Sequence, residues 1–277
     1  MKAVVVFHLF NFDLLDEIFK YISNITIEYD LYITITKEDE TIKQKILNFK
    51  QDSKIFLVEN RGYDVGPFFE ILNKINLNEY DYLIKLHTKS STKTTQFISK
   101  IQSFNNNEWR KYLLSFLKNK NTFNKCLNIF NKNHKVGMIG DSYCIVKNDI
   151  YYNFKLDDFC NTILNKLQID KYNKSKYIAG TIFIARTNIF KPLQQLNINI
   201  NDFDITNGKI KHGTRAHFFE RIFGFNVYKQ GYKIYELFTI RSLLLFLKNT
   251  FYTKRVTTSN KLLIKLFKIP IYNKKLK

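Results

Sequence analysis

A chain of 277 residues, 45% of them hydrophobic, is long enough to bury a large core, as one big domain or one domain with an appendage. Its 44 Lys and Arg against 24 Asp and Glu give a formal net charge of +20, which draws it to anions such as nucleotides, nucleic acid or acidic lipid head groups. Part of that excess equally fits a solvated surface in a chain rich in Lys, Asn, Ile, Phe and Tyr. Cys126, Cys144 and Cys160 form no CxxC pair and are odd in number, which argues against a disulfide framework and a thiolate zinc site and fits a reducing cytoplasm.

At the start, Ala3 to Phe7 is an apolar run broken by His8, too short for the core of a signal peptide. No uninterrupted apolar stretch reaches the roughly 18 residues of a spanning helix, so a protein neither secreted by that route nor transmembrane is expected. Short apolar, β-branched runs follow in order: Ala3–Phe7, Leu31–Thr36, Lys54–Val58, Tyr80–Leu86, Val136–Ile139 and Tyr177–Ala185. Helical patterns lie between them at Leu14–Ile22, Glu40–Phe49, Pro67–Ile75 and Glu108–Leu117. Strand and helix alternating in this way predict βαβ units and a mostly parallel sheet covered on both faces. After about Glu236 the character changes, with ten Lys and Arg and no acidic residue among aliphatic clusters. Residues 237–277 are expected as a basic helical extension of a 1–236 domain, lying on an anionic membrane surface or packing on the core.

In open parallel sheets, ligands bind beyond the carboxyl ends of the strands, so residues that follow each predicted strand are the candidates. His8 follows the first, Glu59 to Phe69 (ENRGYDVGPFF) the third, and His87, Thr88, Lys89, Ser90 and Ser91 the fourth. In the second group Gly62 permits positive φ or close approach of a ligand, Asp64 suits a helix cap, and Pro67 suits a first turn. Arg61, next to Asn60, would project where a planar bidentate donor could hold a phosphate, or be one solvated side chain of a well-made turn. The chain has no GxGxxG, GxxxxGK[ST], GxSxG or HExxH pattern. It also lacks nucleic-acid-binding patterns, so no nucleic-acid partner is expected.

Taken together, the segments VVFHLFNFDLLDEIFKYI, DLYITIT, ENRGYDVGPFFEIL, YDYLIKLHTKSS, NNEWRKYLLSFL, KVGMIG, AGTIFIARTNIFKPL and GTRAHFFERIFG, in this order over roughly residues 3 to 225, resemble the rhamnan synthesis protein F family of bacterial polysaccharide glycosyltransferases. The resemblance implies a GT-A-like, Rossmann-type α/β sandwich. In ordinary GT-A enzymes the strand matching Tyr80–Leu86 ends in an Asp-x-Asp pair that holds a divalent cation. Here His87 and Lys89 stand in those places, and an imidazole and an ammonium can neutralise a diphosphate leaving group directly. The expectation is therefore metal-independent, inverting transfer with no divalent metal, and with Arg61, Lys85, His87 and Lys89 as diphosphate contacts.

By the same resemblance Gly180 and Thr181 line the donor-sugar cleft. The stretch His217, Glu220, Arg221 matches the helix start where inverting enzymes carry the acceptor's base. Glu220 is the first candidate base, or else an ion-pair partner of Arg221, and Asp64 is its rival as base or nucleotide ligand. The implied donor is dTDP-rhamnose or another nucleotide diphosphate sugar. The implied acceptor is a surface polysaccharide or lipid-linked glycan reached from the cytoplasmic face of the membrane. A non-catalytic nucleotide- or glycan-binding scaffold is the alternative.

Overall fold

The computed structural model describes residues 1–88, 95–99, 102–148, 157–169, 175–206, 213–239, 243–244, 247, 251–256, 261–267 and 269–275. Lys89 lies outside them. The first half alternates as the sequence pattern requires: β1 (Lys2–Leu9), α1 (Leu15–Ile22), β2 (Glu28–Ile35), α2 (Glu40–Phe49), β3 (Lys54–Leu57), α3 (Val65–Leu72) and β4 (Tyr82–His87). Beyond it come β5 (Thr95–Ser99), β6 (Gln102–Asn105), α4 (Asn106–Leu113), α5 (Lys120–Lys132), β7 (Val136–Asp141), β8 (Ile145–Lys147) and α6 (Asp158–Lys166). The described main body ends with β9 (Lys176–Ile178), β10 (Phe183–Arg186), α7 (Lys191–Gln194), α8 (Arg215–Lys229) and β11 (Lys233–Leu237).

Seven strands form one sheet in the order β11-β7-β10-β4-β1-β2-β3. All run parallel except β10, which is antiparallel to both β4 and β7. This is the mixed α/β architecture with a mostly parallel central sheet that the alternation predicts. β1 and β4 are buried along nearly their whole length, as strands covered on both faces must be. The helices bury one stripe each. On α1 that stripe is Leu15, Ile18, Phe19 and Ile22, the spacing of one helical face. Asp39 caps α2 by accepting the Ile42 N–H at 3.0 Å, and Asn119 does the same for α5 through Thr122 at 2.8 Å. A continuous apolar cluster runs from Ala3 to Leu237.

Two elements differ from expectation. Tyr177–Ala185 is not one strand: it is split into β9 and β10 by a turn at Gly180 (φ +95°) and Thr181 (φ +50°), because left-handed backbone at two successive residues reverses the chain. The C-terminal extension is helical at residues 243–244, 247 and 251, but its remaining described stretches beyond 251 are chiefly strand. β12 (Tyr252–Val256), β13 (Lys261–Leu266) and β14 (Ile269–Lys275) form an antiparallel three-stranded sheet. Threonine, valine, isoleucine and tyrosine are frequent there and favour a pleated surface over a helix.

Candidate active site

The parallel pairing of β1 with β4 places His8 directly beside His87, and the antiparallel pairing of β10 with β4 places Phe183 beside Lys85. Because β10 runs the other way, its beginning faces the same side as the ends of β1 and β4. The Gly180–Thr181 turn therefore meets the strand exits.

At that meeting point Lys85 is only 1% exposed. Its ammonium donates to an Asp64 carboxylate oxygen, to Thr181 Oγ1 at 3.0 Å and to the Thr181 carbonyl at 3.3 Å. The Thr181 hydroxyl donates to the same Asp64 oxygen, and the ammonium sits 5.4 Å from the centre of the Phe68 ring. His87 Nε2 donates to the Gly180 carbonyl at 2.7 Å and lies 3.9 Å from Asp64 Oδ1. From α8, Glu220 Oε1 accepts the Gly180 N–H at 2.6 Å, while its other oxygen is 3.8 Å from Arg221. One strained turn is thus held by a lysine, a histidine and two carboxylates. Such strain persists only where the surroundings determine it, as at functional sites.

The electrostatics follow from burial opposed by pairing. Burial alone would raise the Asp64 carboxyl; the charges of His87 and Lys85, with the hydrogen bonds from Lys85 and Thr181, outweigh it and hold Asp64 well below the usual carboxylate range. Burial draws the Lys85 ammonium below its ordinary value, opposed by Asp64. His8 is drawn from 6.5 to about 3, chiefly by burial and further by His87 and Lys85, against the pull of Asp64. It is a neutral imidazole sharing a 2.9 Å hydrogen bond with Thr34.

Other expected site residues take structural contacts. Asp64 occupies the cap position of α3 but makes no capping hydrogen bond, since its side chain is turned to Lys85 and Thr181. Asn60 donates to the Thr206 carbonyl at 3.0 Å. Arg61 donates to Glu59 at 2.7 Å and to the Phe203 carbonyl at 3.2 Å, so the pair fastens the 203–206 segment to the turn. Gly62 has φ +66°, and a Cβ there would stand 2.6 Å from the Phe203 ring. Thr88 Oγ1 accepts the N–H groups of Phe10 and Asn11 at 3.0 and 2.9 Å, fixing the exit of β1. His217, in the first turn of α8, shares a 2.7 Å hydrogen bond with Thr214 and packs edge-on to Tyr63. Arg221 lies over the Tyr177 ring and donates to the His217 carbonyl at 3.0 Å.

Sequence reasoning missed Asp141, fully buried at the exit of β7, where it accepts the Tyr143 N–H at 3.0 Å. The Cys144 carbonyl in the same turn accepts the Ala179 N–H at 2.8 Å, which brings this exit beside the Gly180 turn. The strand-exit test that singled out His8 and His87 would have found it, had Val136–Ile139 been extended by two residues.

The chain is similar to known proteins in sequence and in structure. Among curated proteins, two uncharacterized proteins named WxcX, from two strains of Xanthomonas campestris pv. campestris, are 28% and 27% identical over 237 residues. Each match covers 84% of this chain and 32% of the relative, so the chain spans about a third of the length of the curated relatives it matches. Among solved structures, Staphylococcus aureus TarS 1–349 in complex with UDP-GlcNAc aligns with a TM-score of 0.42 at 10% identity, covering 86% of this chain and 56% of that one. The 4-diphosphocytidyl-2C-methyl-D-erythritol synthase of Anaerococcus prevotii aligns with a TM-score of 0.40 at 12% identity, covering 89% and 98%. The sequence model for rhamnan synthesis protein F matches residues 1–232, through every strand of the main sheet except the last, and by that match the chain belongs to the rhamnan synthesis protein F family.

Proposed function

We propose that residues 1–236 form a glycosyltransferase that moves a sugar, rhamnose or another hexose or deoxyhexose, from a nucleotide diphosphate sugar to a surface polysaccharide or lipid-linked glycan. The observation that carries this reading is the convergence of Asp64, Lys85, His87 and Glu220 on the strained Gly180–Thr181 turn at the strand exits. Family membership supports it. The nucleotide sugar lies in this crevice with its diphosphate toward the exit of β4, where His87 and, two residues on in sequence, Lys89 neutralise leaving-group charge. Lys85 shapes the turn from below. Asp64 is already committed to Lys85 and Thr181, which leaves the exit of β4 poor in carboxylate ligands and favours transfer without a divalent metal.

The acceptor's base is Glu220. Asp64, held far below the usual carboxylate range, takes up protons too poorly for that task, whereas Glu220 is anchored at one oxygen and reaches the same turn. Attack by the deprotonated acceptor hydroxyl from the face opposite the departing diphosphate inverts the anomeric centre. Residues 237–277 attach the enzyme to the cytoplasmic face of an anionic membrane, where a lipid-linked acceptor would be.

Calorimetric titration with UDP, dTDP and their sugars, with and without magnesium or manganese, tests the reading. Binding at equal affinity in EDTA is expected. Binding that vanishes in EDTA and returns with manganese sinks the metal-independent mechanism, and no binding under any condition points instead to a scaffold.

A further inference from the structure

Backbone and side chain pull in different directions at Thr181. Its φ of +50° lies in the left-handed region, which glycine, asparagine and aspartate enter readily and a β-branched residue resists. Closing the turn does not call for a threonine. Ile178 to Thr181 is a four-residue turn shut by the Thr181 N–H, which donates to the Ile178 carbonyl at 3.1 Å, and Gly180 supplies the positive φ of its third residue. A second glycine at 181 would follow the same path with less strain. What that glycine would lack is the hydroxyl. Thr181 is only 3% exposed; its hydroxyl gives its one proton to Asp64 and accepts from Lys85 at 3.0 Å, and its carbonyl accepts from the same ammonium at 3.3 Å. No proton of that hydroxyl is left for a sugar.

The neighbouring residue carries the effect outward. The Gly180 carbonyl accepts from His87 at 2.7 Å, and the Gly180 N–H donates to Glu220 Oε1 at 2.6 Å. A Cβ on Gly180 would stand 2.8 Å from Leu113 and 3.2 Å from Trp109, so α4 backs the turn on one side while Glu220 of α8 meets it on another. We infer that Thr181 is a positioning residue: its hydroxyl, gripped by Asp64 and Lys85, holds the left-handed backbone, that backbone directs the Gly180 N–H, and the N–H sets the Glu220 carboxylate, whose use in transfer rests on the proposed role of Glu220 as the acceptor's base. Strain then persists at a residue that touches no substrate because its neighbours determine it.

Amide exchange and turnover test the two halves separately. Ala179–Gly180 is the only Ala-Gly pair in the sequence, so intact protein labelled with 13C at alanine carbonyls and 15N at glycine gives one correlated amide signal, that of Gly180. Thr181→Val keeps the branched shape and removes the hydroxyl; exchange of the Gly180 amide in deuterated water is expected to quicken roughly tenfold or more. Thr181→Ser keeps the hydroxyl, and its exchange is expected to stay slow. If valine prevents folding, Thr181→Gly, which enters left-handed backbone without strain, is read in its place with the same expectation. An unchanged Gly180 amide in the variant without the hydroxyl overturns the inference. In turnover of the nucleotide sugar selected by calorimetry, loss of the hydroxyl is expected to lower kcat roughly tenfold or more, as a misplaced catalytic group does, with donor affinity unchanged and with Thr181→Ser restoring the rate. Acting through Glu220, it is expected to add no further loss in a Glu220→Gln background. An equal loss in both backgrounds marks a general structural defect and overturns the positioning role. If the unaltered protein transfers no sugar, the glycosyltransferase reading fails, and the amide exchange still decides whether Thr181 holds Gly180 on Glu220.

Discussion

Lys85 is a charged group placed where a leucine would ordinarily go, in the middle of a sheet. It is tolerated because Asp64 and Thr181 satisfy it, and removing one partner of such a pair leaves a buried charge uncompensated. Asp64→Asn is therefore expected to lower stability by about 3–5 kcal/mol in urea titration. Glu220→Gln is expected to leave stability nearly unchanged, while turnover of the nucleotide sugar selected by calorimetry falls roughly 10²-fold or more, as for loss of a general base. Near-normal turnover by Glu220→Gln would rule Glu220 out as the base. His8 supplies a pH test. Its native pKa of about 3 lies below the ordinary 6.5, so the unfolded chain takes up the proton first and the contribution of His8 to stability is lost as pH falls from about 6.5 toward 3. Between about pH 7 and pH 5 the native protein is expected to lose about 2 kcal/mol more than His8→Asn. Parallel urea titrations of the two proteins check this, and identical losses would show that His8 is not buried neutral.

At the level of elements, the parallel half was legible because each strand is a compact apolar run and each helix shows its face at the proper spacing. The strand-exit rule then picked out His8, His87 and the segment that holds Asp64, while Glu220 came from the family resemblance. What it could not show is which of them meet water. Arg61 and Asn60 read as ligand donors because nothing local explains them; their partners, Phe203 and Thr206, lie more than 140 residues away in sequence. The β9–β10 turn was invisible for a related reason. IAGTIFIAR is apolar throughout, and only the tertiary contacts of Gly180 with Glu220 and His87 make a reversal there worthwhile. The C-terminal sheet was misread as helix because clustered Leu and Lys suit either period, and β-branched content, not spacing, was the better guide.

For the whole molecule, charge and apolar surface meet at the C-terminal sheet. Every described residue of β14 is exposed, with Ile269 and Ile271 at 65% and 60% exposure on either side of Pro270. Among the described residues no helix is long and apolar enough to cross a membrane. Co-sedimentation with phosphatidylglycerol vesicles is expected, weakening as salt shortens the screening length. Ile269→Asn with Ile271→Asn is expected to reduce it about tenfold or more, since burying one such side chain contributes about 1.5–3 kcal/mol. Equal binding to neutral phosphatidylcholine vesicles would overturn the electrostatic part.

The antiparallel placement of β10 also has a consequence in time. Asp64 and Lys85 are made early, but Thr181, which completes their network, follows Lys85 by 96 residues, and β10 must slot between β4 and β7, both already synthesised. On a ribosome that has finished only the first half of the chain, Lys85 faces solvent and the crevice has no far wall. The crevice is therefore completed late, by a four-residue strand and by Glu220 of α8 behind it.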